Sequence, residues 1–380
     1  MDQRMPSEPV SSAPDRPTLR FPGKKGLVLL GEKPLVAETP ESLLDDDTTP
    51  VEKFYIRNNG RIPDATPQPE NWTLTIDGEV ERPLRLTLAE LQQRFEHVTR
   101  RLVMECGGNG RSFYTPRVSG NQWTNGGIGC AEWTGVRVAD VLGAAGLKAS
   151  AFFSGHYGDD AVGKSPQGDA LSRGVPIKKL MDENNLIVWA INGEPLPLIH
   201  GFPLRLVIPG WPASVSSKWL TRIWIRDRIH DGKGMGGTSY RMPVTPMMPG
   251  GIPDLENFHE IESMPVRSII TNPADGAKFA AGLLEINLRG AAWAGDHTIR
   301  SVAVTIDHGA TWQDVTLQPQ RNPYDWFRWT HRLALPSDGY FEIWSRATDS
   351  RGVAQPYTAV NWNPQGYAGN PMHRIAITIG

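Results

Sequence analysis

The last third of the chain alternates. In "SVAVTIDHGATWQDVTL" the apolar residues Val302, Val304 and Ile306 fall at every second position, the run turns at Asp307-His308-Gly309, and it then resumes. "GYFEIWSRATDSRG" and "HRIAITIG" repeat the pattern. A period of two puts one strand face inward and the other outward, and it gives a helix no continuous apolar stripe. Short alternating strands with regular turns and almost no helical patterning predict an immunoglobulin-like sandwich over residues 256–380.

Upstream the pattern is mixed. "TLAELQQRF" carries a helix N-cap at Thr87 and helical apolar spacing. "RVADVLGAAG" predicts a second helix stopped by Gly146, and "VPIKKLMDENN" a third. "LIVWAING" and "LRLVIPG" read as buried strands. The Pro- and Gly-rich "MPVTPMMPGGIPD" then interrupts the chain and marks a boundary. The expected class is α+β. An extended N-terminal arm (residues 1–50) precedes a mixed α/β domain (51–255) and the sandwich (256–380). The acidic "LLDDDTTP" reads as a solvated link. A length of 380 residues agrees with more than one domain.

The formal net charge of −2 offers no footprint for nucleic acid. The apolar run "GLVLLG" is far too short to span a membrane. No leader is legible in "MDQRMPSEPVSSAPDRP", so the expectation is a mature periplasmic form, with a cytoplasmic protein as the alternative.

Only two cysteines occur, Cys106 and Cys130. "RLVMECGGNGRS" puts Cys106 at the end of an apolar run, before a glycine-rich turn. Three readings are open: a small buried hydrophobe, a nucleophile with His200 as base, or a soft-metal ligand whose other donors come from an organic cofactor. The nine histidines form no zinc signature. His200, Arg205 and Lys218 in "HGFPLRLVIPGWPASVSSKWL" suit a phosphate cradle, and Arg57 in "FYIRNNGRIP" suits an oxyanion. Cys130 reads as a buried structural thiol.

These stretches, with "GCAEWTGVRVADVL" and "WNPQGYAGNPMHR", fall in the order and spacing of the molybdenum enzymes of the sulfite oxidase type. From residue 50 onward the chain resembles that family, and it looks closest to bacterial haem-free sulfite dehydrogenases. The resemblance implies a molybdopterin domain followed by a dimerisation domain. Cys106 matches the molybdenum ligand. Arg57 and Arg111 match arginines that hold the anionic substrate. Tyr240 matches a tyrosine beside the metal, and Trp123 a tryptophan lining the pocket. His200, Arg205 and Lys218 match groups that bind the pterin and its phosphate, and Asn58 shares the cofactor-facing turn.

The implied reaction is oxidation of sulfite to sulfate by oxygen-atom transfer, with electrons leaving to an external acceptor such as a c-type cytochrome. Carrier-bound sulfane sulfur or another small oxyanion is the alternative substrate. A homodimer is implied as well. Two positions depart from the animal members. Asn59 stands where a histidine is common, and Gln365 stands where an arginine helps to hold sulfite.

Overall fold

The computed structural model describes residues 16–63, 66–160 and 169–380. Thr87 opens the first helix as expected. Its hydroxyl accepts from the Glu90 amide while the Glu90 carboxylate accepts from the Thr87 amide, so two donors of the open helix end are met. This helix, α1 (Leu88–Arg94), buries Leu91. The second helix, α2 (Val138–Ala145), turns Val138, Val141, Leu142 and Ala145 inward at helical spacing and stops where Gly146 takes φ 71°. The third forms a single turn, α3 (Ile177–Leu180). Asn185 ends it by donating Nδ2 to the carbonyls of Lys179 and Leu180.

Two sheets frame this half. In one, Val98–Glu105 pairs with Ile128–Arg137, which pairs with Leu186–Ile191; Glu194–Pro195 and Arg205–Val207 both pair with Leu186–Ile191. The other runs Leu84–Thr87, Thr73–Gly78, Leu220–Arg226, Phe153–Gly158. Leu74, Ile76, Leu220 and Ile223 of the second sheet share a buried cluster with Val141 and Leu142 of α2. Each such side chain contributes about 1.5–3 kcal/mol on leaving water.

Beyond residue 264 the described residues hold strands and no helix. A four-stranded sheet that includes Arg267–Asn272, Glu285–Trp293 and Phe327–Ala334 faces a five-stranded sheet that includes Ile299–Thr305, Gly339–Asp349 and His373–Ile379. Ile270, Leu288, Val302, Trp329, Ile343 and Ile377 fill the space between them. Gly290 is in register with Trp329, and a Cβ there would overlap the indole, so the ring lies over bare backbone.

The N-terminal segment departs from expectation. In place of an extended arm, Val28–Glu32 and Leu35–Glu38 form a hairpin that takes Ile56–Arg57 as its third strand. Leu27, Val36, Ala37 and Leu44 are fully buried. The acidic link is docked rather than solvated. Asp45 accepts from Thr271 Oγ1 at 2.6 Å, from Arg328 Nη2 at 3.0 Å and from Arg289. The Thr271 partner lies 226 residues away in sequence, so no local pattern announces it.

Two buried pairs join the halves. Arg101 forks onto Asp325 at 2.8 and 2.7 Å. Arg267 Nε donates to Glu105 Oε1 at 3.0 Å, and Trp293 Nε1 to Glu105 Oε2 at 2.8 Å. Glu105 immediately precedes Cys106, so the sandwich helps to hold that residue in place.

Candidate active site

Cys106 follows the last residue of the strand Val98–Glu105. Its amide donates to the Gly127 carbonyl, and its carbonyl accepts from the Asn109 amide, which closes the turn Gly107-Gly108-Asn109. Gly110 leaves the turn at φ 82°, where a side chain would be strained and would also meet the Gly369 backbone. A Cβ on Gly107 would come within 3.4 Å of the Tyr240 ring. The glycines therefore let backbone and ring crowd around the sulfur.

A cleft of about 720 Å3 opens onto Cys106. Arg57, Asn58, Cys106, His200, Arg205, Lys218 and Tyr240 line it, together with Asn59 and Asp160. Lys218 Nζ donates to Asn58 Oδ1 at 2.7 Å and to the Ile199 carbonyl at 2.8 Å. Arg205 Nη1 donates to the His200 carbonyl at 3.0 Å, its guanidinium lies 5.3 Å from the centre of the Trp133 ring, and its buried Nε has no partner. Arg57 Nη1 donates to the Asn58 carbonyl.

Arg111 and Trp123 do not line the cleft. Arg111 Nε and Nη1 donate to the carbonyls of Gln365 and Asn121 at 2.7 and 3.0 Å. Its guanidinium crowds the Gly108 backbone, where a Cβ would lie 2.7 Å from Nη2. Trp123 is fully buried behind Cys106, edge-on to Tyr55. The Gln365 amide turns away and donates to Thr238 Oγ1 at 3.2 Å. Cys130 is fully buried and donates its thiol to Asp325 at 3.4 Å, which is a structural role.

Among the described residues the cleft carries more cationic side chains than carboxylates. Burial, reinforced by Arg205, holds Lys218 well below its ordinary value. Burial also holds Arg205 down to about 10 and Lys24 down to about 7. His200 is held well below its usual value by burial and by its cationic neighbours Lys24, Lys218 and Arg205. Asp160, the one carboxylate lining the cleft among the described residues, is itself pushed up to about 6 by burial. A buried group of cations with an orphaned guanidinium N–H fits a phosphate, which restores charge balance and takes the free donors.

Burial pushes the Cys106 thiol up, while Arg57 and Arg111 oppose it. A coordinated metal stabilises a thiolate far more than either arginine does. Among the described residues no group of three His, Cys, Asp or Glu side chains is placed to hold a metal. A metal on Cys106 would therefore take its other donors from outside these side chains, as an organic ligand such as a molybdopterin supplies them.

Sequence reasoning singled out Tyr240 but missed the side chains packed on it, and it missed Lys24. Tyr240 takes φ 51°, stacks on Tyr367 at 4.9 Å, and carries the Arg173 guanidinium 4.4 Å from its ring centre. Arg173 is buried, donates Nη1 to Ser214 Oγ at 2.9 Å, and leaves Nε without a partner. Lys24 reaches His200 from the N-terminal hairpin region. No motif flags Arg173 or Lys24; they reach Tyr240 and His200 only through the fold.

Residues 59–233 match the oxidoreductase molybdopterin binding domain, and residues 259–380 match the Mo-co oxidoreductase dimerisation domain. The chain belongs to the sulfite oxidase family of molybdopterin-binding oxidoreductases. It is 31% identical over 388 residues to the mitochondrial sulfite oxidase of Drosophila melanogaster, covering 98% of this chain and 65% of the fly protein. It is 30% identical over 371 residues to the sulfite oxidase of Gallus gallus, covering 93% of this chain and 78% of the chicken protein. The sulfane dehydrogenase SoxCD from Paracoccus pantotrophus superposes with a TM-score of 0.76 at 26% identity, over 94% of this chain and 87% of that one.

Proposed function

We propose that this chain is a sulfite dehydrogenase. The observation that carries the reading is a single thiol, Cys106, facing a cleft whose cations Arg57, Arg205 and Lys218 meet one carboxylate, Asp160, among the described residues. Cys106 would hold molybdenum, and His200, Arg205, Lys218 and Asn58 would hold the pterin and its phosphate. When bound, the cofactor supplies two-electron oxygen-atom transfer. The chain supplies placement and charge. Arg57 draws a small oxyanion toward Cys106, and Arg111 adds positive charge from behind the turn. The Tyr240 hydroxyl makes no hydrogen bond among the described residues, so it is available to a substrate oxygen. The stack of Arg173, Tyr240 and Tyr367 fixes the ring and limits loss of alignment.

Electrons would leave to a c-type cytochrome, since two cysteines at positions 106 and 130 provide no Cys-x-x-Cys-His attachment site in this chain. A periplasmic address goes with this reading, a cytoplasmic one is the alternative, and cell fractionation tests it. The likeness to a sulfane dehydrogenase favours carrier-bound sulfane sulfur as the second reading. Gln365, neutral and turned toward Thr238, does not discriminate between the two. Metal analysis of the purified chain comes first, then reduction of cytochrome c or ferricyanide by sulfite and by a persulfidated carrier thiol. Molybdenum with sulfite-driven reduction is expected. Reduction by the persulfide alone would replace sulfite with sulfane sulfur, and a chain free of molybdenum would end both readings.

A further inference from the structure

Lys24 lies ahead of the region that matches the molybdopterin binding domain, yet its half-buried ammonium reaches His200 inside that region. Its Nζ is 2.5 Å from the Val51 carbonyl, 2.9 Å from the Phe54 carbonyl and 2.5 Å from His200 Nε2. We infer that Lys24 is a positioning residue that sets the tautomer of His200, so that His200 Nδ1–H is presented to the phosphate of the cofactor. The inference rests on the molybdopterin reading of the cleft.

The argument is a count of donors and lone pairs. An ammonium has three N–H groups and no lone pair. Two are taken by carbonyls, so the third points at Nε2, and Nε2 must offer its lone pair. A neutral imidazole then carries its proton on Nδ1. Burial and three cationic neighbours keep His200 neutral. Nδ1 makes no hydrogen bond among the described residues, and the ring lines the cleft. A ring in this tautomer offers a donor to a phosphate bound in the cleft.

The competing arrangement is a neutral lysine that accepts from Nε2–H. It would aim the Nδ1 lone pair at the anion. Burial brings Lys24 down to about 7, so the two arrangements lie close near neutral pH. A bound anion favours the ammonium and with it the Nδ1–H form.

The test uses the full-length holoenzyme with 15N-labelled histidine. The two ring nitrogens of His200, assigned by their loss in H200Q, report which one carries the proton. Molybdopterin per chain is read from the fluorescence of its released, oxidised pterin. The wild type should show His200 protonated on Nδ1. In K24M the proton should move toward Nε2 and retained pterin should fall on the order of tenfold, as expected when an orienting partner is lost. K24R, which keeps the charge and the donors, should preserve the tautomer and most of the pterin. A loaded wild type with His200 protonated on Nε2 overturns the assignment, and that result needs no variant to fold. So does a K24M protein with unchanged tautomer and full pterin. A wild-type chain with neither pterin nor molybdenum overturns instead the reading of the cleft.

Discussion

At the scale of single residues the protein separates charge from function. Cys106 faces the cleft while Cys130, with the same side chain, is sealed against Asp325. Cys106→Ser should keep the pterin, because Lys218 and Arg205 remain, and should lose molybdenum and turnover, because a hydroxyl is a poor soft-metal ligand. Equal molybdenum in mutant and wild type would contradict this. Gln365→Arg should leave KM for sulfite unchanged, since the side chain at this position points to Thr238; a clear fall in KM would place it in the cleft. Two histidines away from the cleft make the fold sensitive to acid. Burial lowers His156 to about 3 and His230 to about 4, from an ordinary value of 6.5. Both folded values are depressed, so the unfolded chain binds more protons as pH drops below 6.5. The stability these two histidines contribute is full above that pH and is lost as pH falls toward 3. Urea midpoints should decline across this window, and His156→Asn should flatten the decline.

At the scale of elements the strand that ends in Cys106 depends on the sandwich. Arg267 is fully buried, and its guanidinium meets Glu105, Asn125, Asn109 and Gly369. Arg267→Met would strand the buried Glu105 carboxylate and should cost about 3–5 kcal/mol. Calorimetry should show one transition shifted down for the whole chain, with no separate early melting of the sandwich. The helices were legible because capping and helical spacing are local: Thr87 and Glu90 are three residues apart, and Gly146 directly follows the last buried turn. The hairpin Val28–Glu38 was not, because its core partners Ile56 and Ile199 come from later in the chain.

At the scale of the molecule, residues 259–380 match a dimerisation domain. A symmetric homodimer is the expected assembly, since closed twofold pairing is the commonest outcome for soluble chains. Light scattering at micromolar concentration should give twice the chain mass; a fully active monomer would contradict it. The described residues contain no helix long and apolar enough to cross a membrane.

What the sequence by itself determined is what short range can encode. Period-two alternation after Ser263 specified the sandwich, a cap opened the first helix and a glycine stopped the second, and a cysteine before a glycine turn marked a candidate site. Seven of the nine residues singled out do line one cleft: Arg57, Asn58, Cys106, His200, Arg205, Lys218 and Tyr240. Only the tertiary structure placed Arg111 and Trp123 behind that cleft, brought Lys24 under His200, set Arg173 against Tyr240 and turned Asp45 onto the sandwich. These contacts join residues far apart in the chain. Their energy comes from burial and charge compensation, which depend on what surrounds a side chain and not on which residues precede it.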